Sequence, residues 1–232
     1  MRYLFVHAHP DDETLSTGAI ISCLRAIGDE VSVLTATRGE MGEAVPGTVA
    51  PGEDLATVRL AERARALAAL GADDAGFLGT PPNRTPDKQG RIYRDSGMEW
   101  VTPTWAGPSA DAGADSLCRA DIGEVIADIV SSSIRYGAEV LVSYDADGGY
   151  GHPDHVRCHD ATMAAAELLG VPFRRIVADP TAADEWFDVT GPDRADVLAA
   201  HRAYRTQFTV TGERIVHVGG QEDEIRFHAG LA

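Results

Sequence analysis

With 232 residues, 44% hydrophobic and 24% charged, the chain has the length and composition of a globular protein with a substantial core. Its formal net charge of −16, from 36 acids against 20 bases, argues against polyanionic partners such as nucleic acid or an anionic membrane surface. Cys23, Cys118 and Cys158 form no CxxC pair, no apolar run approaches the about 20 residues of a membrane span, and His7 interrupts the only run that could open a signal peptide, so a reduced, cytoplasmic protein is expected.

The first apolar run, 3–7 (YLFVH), reads as a strand, and apolar positions three and four apart over 13–28 predict a helix after it. A second strand is expected at 31–37 (VSVLTAT). In the helix predicted over 53–71, Leu55, Val58, Leu60, Ala64, Leu67 and Leu70 share one broad face, and Gly28 and Gly71 stand where C-caps belong. After a strand at 75–79, residues 80–116 are rich in Pro, Gly, Asp and Arg without a clear period. A loop of that length inside a compact domain is usually functional. Helices over 117–136 and 153–170 alternate with strands at 139–144, 173–178 and 185–190, and the tail 209–232 suggests a terminal hairpin. Alternating strands and helices imply an α/β, Rossmann-like, mostly parallel sheet with helices on both faces, whose ligands bind at the carboxyl ends of the strands. Without a repeat or a linker, residues 1–232 count as one domain.

At the carboxyl end of the first strand stands HAHPDDE, residues 7–13. Acids at a helix start can serve simply as caps, meeting free amides and the positive end of the dipole. A second stretch weighs against that reading. After the strand at 139–144 comes ADGGYGHPDHV, residues 146–156, so a second strand end leads into His-Pro-Asp at a helix start. Capping explains neither histidine of this second motif. Residues three apart at a helix start project to one side, so His9 with Asp12, and His152 with His155, can converge on one point. Nitrogen and oxygen ligands leaving one position open are what catalytic zinc requires.

HAHPDDE and GGYGHPDHV closely resemble the signatures of the LmbE-like (PIG-L) zinc-dependent N-deacetylases. TRGEMGE (37–43), RLAERARALAALG (59–71) and YRDSGM (93–98) also resemble the mycothiol-pathway members of that family, its N-acetylglucosaminyl-inositol deacetylase and its S-conjugate amidase. Carried over, the resemblance makes His9, Asp12 and His155 the ligands of zinc, with ferrous iron an alternative in cells. It makes Asp11 the general base and His152 the imidazole facing the reacting carbonyl. Tyr150 supports the oxyanion, and Asp154 orients a histidine. Arg59, Asp95 and Glu43 would hold the sugar hydroxyls. The reaction implied is hydrolysis of the N-acetyl group of a small N-acetylglucosamine-containing molecule by metal-activated water. Either Asp11 or His152 could protonate the leaving amine. Alternatives are an amidase acting on a thiol conjugate such as a mycothiol S-conjugate and, further off, a metallophosphoesterase, which commonly needs a second metal. A homo-oligomer is left open. A dinucleotide-binding domain fails at the first turn, where HAHPDDE replaces the Gly-rich phosphate loop. His159, one helical turn after His155, is a weaker ligand candidate, while His201, His217 and His228 read as surface or local structure.

Overall fold

In the computed structural model, which describes residues 1–232, the first strand β1 (Arg2–His7) buries Leu4 to His7 completely, as its apolar run requires. It is followed by α1 (Asp12–Leu15), α2 (Gly18–Ala26), β2 (Glu30–Thr35), α3 (Leu55–Leu70), β3 (Asp73–Phe77), β4 (Met98–Thr102) and β5 (Trp105–Pro108). The second half runs α4 (Ile122–Tyr136), β6 (Val140–Ser143), a single turn α5 (Gly148–Gly151), α6 (Pro153–Leu169), β7 (Phe173–Val177) and β8 (Glu185–Asp188). It ends with α7 (Arg194–Ala203), β9 (Phe208–Thr211), β10 (Arg214–His217), β11 (Glu222–Glu224) and β12 (His228–Leu231). No helix is long and apolar enough to cross a membrane.

Seven strands form the central sheet in the order β3-β2-β1-β6-β7-β12-β8. The first five pair in parallel; β12 is antiparallel to both β7 and β8. The fold is therefore α/β with a mostly parallel sheet and a helix layer on each face. On one face Ile20, Leu24, Leu67 and Val197 from α2, α3 and α7 pack together; on the other, Val125, Ile129, Cys158 and Ala165 from α4 and α6 do so. Truncating Leu67 or Ile129 to alanine would cost about 2–5 kcal/mol.

Helix ends follow the local chemistry. Asp54 caps α3 by accepting from Thr57 N at 3.0 Å, and Gly71 ends it at φ 68°, a left-handed turn that a side chain would strain. Three expectations need correction. The helix expected over 13–28 breaks at Ser16–Thr17, because Thr17 turns its hydroxyl to the Glu13 carbonyl (2.9 Å) and approaches His7 Nε2 (3.0 Å). Residues 80–116 are not structureless: they contain the β4–β5 hairpin, and Arg94 bridges to Ser116. The tail is not one hairpin, since β9, β10 and β11 make a small antiparallel sheet while β12 returns to the main one.

The parallel sheet also decides where the two motifs meet. From β1 the chain winds outward through β2 and β3, and from β6 it winds the other way through β7. β1 and β6 are thus neighbours at the switch point, with Phe5 opposite Val142. A crevice opens at the carboxyl ends of such a pair, and both His-Pro-Asp turns begin there.

Candidate metal and catalytic site

Just past β1 the chain turns sharply. Asp11 holds φ 103°, a conformation that L-residues rarely adopt, and its side chain makes no capping bond to α1. Capping therefore does not explain Asp11. Arg59, buried in α3, reaches across instead: Nη2 donates to Asp11 Oδ2 at 2.9 Å and to the Pro10 carbonyl at 2.5 Å, and Nη1 donates to the Gly39 carbonyl at 2.7 Å. Burial pushes the Asp11 carboxyl up to about 7, while Arg59 pulls it down.

The next residue faces the crevice. Asp12 Oδ2 accepts from His9 N (2.8 Å) and from the Tyr144 hydroxyl (2.7 Å), and lies 3.3 Å from His9 Nδ1 and 3.4 Å from His155 Nε2. Burial opposes its charge, but His155 and His9 hold this carboxyl well below its usual range. His155 Nδ1 lies 3.1 Å from the Gly148 carbonyl, which can only accept, so Nδ1 carries a hydrogen and Nε2 is the nitrogen turned to Asp12. That Nε2 is buried without a hydrogen-bond partner. An unpartnered nitrogen and a buried carboxylate 3.4 Å apart are a pair of donors between which a cation can sit.

His9 has the complementary arrangement. Its Nε2 lies 3.3 Å from Asp154 Oδ2 and 3.5 Å from Asp95 Oδ1, leaving Nδ1 toward Asp12. Burial would strip charge from this imidazole, yet Asp95, Asp12 and Asp154 raise its pKa well above the ordinary value, so the surroundings favour positive charge. Donor separations of 3.3 and 3.4 Å suit ligands of one ion with bonds of about 2.0–2.1 Å. His9, Asp12 and His155 can therefore hold a metal ion. A carboxylate behind a ligating histidine, as Asp154 stands behind His9, is the usual support that fixes tautomer and orientation.

His152 belongs to the same cluster: its donor atoms and those of His9 and His155 lie within 4.8 Å of one another. Its Nδ1 accepts from Asp154 N at 3.2 Å, so the hydrogen sits on Nε2. Burial and the imidazoles of His9 and His155 push its pKa down to about 2. It is thus a neutral N–H donor rather than a lone-pair ligand. A second donor group, His9 with Asp95 and Asp154, is also close. Its carboxylates are already occupied by the Gly97, Met41 and Ser96 amides.

Tyr150 places its ring 5.6 Å from that of His155 and 6.0 Å from that of His152. Burial, Asp12 and the other carboxylates push its hydroxyl pKa upward, keeping it a donor. Asp95 is drawn in beside His9, whereas Glu43 is exposed on the loop after β2. His159 is turned away, with Nδ1 2.8 Å from the Tyr144 carbonyl, and His201 is buried in α7 rather than at the surface. Two participants escaped the sequence reading. Tyr144 grips Asp12 and stacks flat on His155 (4.1 Å, 5°), and Ser96 donates both N and Oγ to Asp154. Tyr144 could have been suspected from its place at a central strand's carboxyl end, and Ser96 from the YRDSGM segment.

In sequence and fold the chain is similar to known proteins. The PIG-L family model, GlcNAc-PI de-N-acetylase, matches residues 4–166. A 1D-myo-inositol 2-acetamido-2-deoxy-alpha-D-glucopyranoside deacetylase of Kineococcus radiotolerans is 46% identical over 209 residues, 88% of this chain and 56% of its own. A protein of the same description (deacetylase 1) from Saccharopolyspora erythraea is 45% identical over 186 residues, 78% of this chain and 58% of its own. The chain thus spans less than three-fifths of the length of these two relatives. A solved deacetylase–teicoplanin complex from the teicoplanin biosynthesis pathway shares the fold, with TM-score 0.60 and 22% identity over 88% of this chain and 87% of that one.

Proposed function

The chain belongs to the PIG-L (GlcNAc-PI de-N-acetylase) family, and on that premise we propose that it is a zinc-dependent N-deacetylase of a small N-acetylglucosaminide. The observation that carries this reading is the unpartnered His155 Nε2 facing the Asp12 carboxylate, beside an Asp11 held by Arg59. His9, Asp12 and His155 would hold the ion, and Asp154, Ser96 and Tyr144 would orient these ligands through their hydrogen bonds to His9, Asp154 and Asp12. When bound, zinc supplies Lewis acidity toward water and the amide carbonyl. Asp11, oriented by Arg59, takes a proton from the attacking water as general base. His152, an N–H donor, and Tyr150, a hydroxyl donor, meet the negative charge that develops on the carbonyl oxygen. Asp11 then returns its proton to the departing nitrogen. Names of the relatives support a glucosaminide of inositol as one substrate of the class.

The test is amine release from a panel of N-acetylglucosaminides by the zinc-loaded protein, with the chelated protein as control. Deacetylation that disappears on chelation and returns with zinc is expected. Release of phosphate from phosphate esters, with no amine from any glucosaminide, would instead favour a metallophosphoesterase.

A further inference from the structure

Glu13 and Glu62 are buried, 0% and 2% exposed, yet stand outside the ligand set and the acid–base chemistry. Burying a carboxylate is costly unless hydrogen bonds replace its water. Both are met by one short segment between α7 and β9. The Tyr204 hydroxyl donates to Glu13 Oε1 at 2.6 Å, and Thr206 donates to both oxygens of Glu62, from N at 3.0 Å and from Oγ1 at 2.5 Å. Tyr204 and Thr206 are themselves fully buried, and Val197 and Ala200 anchor α7 in the core beside α2 and α3. These donors lie beyond residues 4–166, the part of the chain that the family model matches.

Each carboxylate leads on to the base. Glu13 Oε2 accepts from Asp11 N at 3.2 Å, while Thr14 Oγ1 donates to Oε1 at 2.8 Å. The turn is thus held from two sides: Arg59 takes the Pro10 carbonyl and the Asp11 side chain, and Glu13 takes the Asp11 amide. Glu62 lies on α3 three residues after Arg59, so the two are neighbours on one face of that helix. Fixing Glu62 fixes the place from which Arg59 reaches the turn. The Thr206 carbonyl also accepts from Val45 N at 2.8 Å, tying down the loop whose Gly39 carbonyl Arg59 holds. A strained conformation such as φ 103° at Asp11 persists only where its surroundings over-determine it.

We propose that Tyr204 and Thr206 are positioning residues for the reaction: through Glu13 and Glu62 they set Asp11 against Arg59, and so the aim of the base at the attacking water. The inference rests on the reading of Asp11 as base and adds where its geometry is enforced.

Tyr204→Phe and Thr206→Val keep side-chain volume and remove only the hydroxyls. On the zinc-loaded protein each is expected to lower kcat about 10-fold on an N-acetylglucosaminide, with KM within about 2-fold of wild type. Zinc content should stay unchanged, because Asp12 has its own donors in His9 N and Tyr144. Thr206→Ser, which retains the hydroxyl, should recover most of the Thr206→Val loss. In an Asp11→Asn background the same two substitutions should cost less than about 2-fold more, because residues that act as a unit are not additive. A structural defect unrelated to the base would lower the rate by the same factor in both backgrounds. Crystal structures of the two variants supply a readout that needs no turnover: the 2.9 Å Arg59–Asp11 bond should lengthen or the Asp11 backbone leave φ 103°, with the sheet unchanged. A displaced Asp11 in a protein that releases no amine from any glucosaminide would overturn the reaction and leave the positioning standing. An unmoved turn in both variants, a fall in kcat that is the same with and without Asp11, or a KM effect at intact kcat would overturn the positioning.

Discussion

Arg59 donates to the Asp11 carboxylate at 2.9 Å with the same guanidinium that holds the Pro10 and Gly39 carbonyls. It thereby fixes both the side chain and the strained backbone of the residue assigned as base. Asp11 at φ 103° keeps its conformation only while its surroundings enforce it. A residue reading the sugar would affect KM, whereas one holding the base affects turnover. Arg59→Ala is expected to lower kcat about 10- to 100-fold while KM changes less than about 2-fold, with zinc retained. Gly39→Ala should mimic it, because a Cβ there would lie 1.9 Å from Arg59 Nη1. A KM effect with kcat intact would return Arg59 to the sugar.

Asp11 can be separated from the metal by an isosteric change. Asp11→Asn removes the base but keeps the volume and an acceptor for Arg59. Zinc content should be unchanged, and kcat should fall at least ~100-fold. Near-normal turnover in a correctly folded variant would remove Asp11 from the chemistry.

Metal binding should depend on residues behind the ligands as well as on the ligands. Metal analysis is expected to show His155→Ala nearly empty and His159→Ala fully loaded. Tyr144→Phe, which loses the 2.7 Å bond to Asp12, should weaken zinc affinity about 10- to 100-fold. Equal loading of His155→Ala and wild type would refute the ligand set.

Acid should weaken the fold partly through His201, buried in α7. Burial pushes this imidazole down to about 4 from 6.5, although its bond with the Val197 carbonyl (2.8 Å) opposes the shift. Between those values the unfolded chain binds the proton and the folded one does not, so stability falls as pH drops from 6.5 toward 4. The depression corresponds to about 3 kcal/mol at most. Buried His7, also pushed down to about 4, titrates in the same window, so the readout is the difference between proteins. Chemical denaturation across pH 4–7 should show a shallower loss in His201→Leu than in wild type. Parallel curves would contradict the assignment.

The sequence by itself determined the alternation of strands and helices, because apolar periodicity and caps such as Asp54 and Gly71 act within a few residues. It also marked both His-Pro-Asp turns, although the expectation that capping explains neither histidine of the second turn is wrong for His152, which caps α6 by accepting from Asp154 N. Tertiary structure decided the rest. Whether those turns meet depends on β1 and β6 being neighbours, a matter of sheet order that no local pattern encodes. The division of labour between His152 and His155 depends on tautomers set by a backbone amide and a backbone carbonyl. The bond from Arg59 to Asp11 exists only because α3 packs beside the first turn, which nothing in the local pattern of its helix encodes. Ser96 and Tyr144 lie 58 and 132 residues from the carboxylates they hold, and β12 left the expected tail hairpin to complete the main sheet. In each case the deciding partner is distant along the chain, so burial and hydrogen bonding in the folded state, rather than local propensity, selected it.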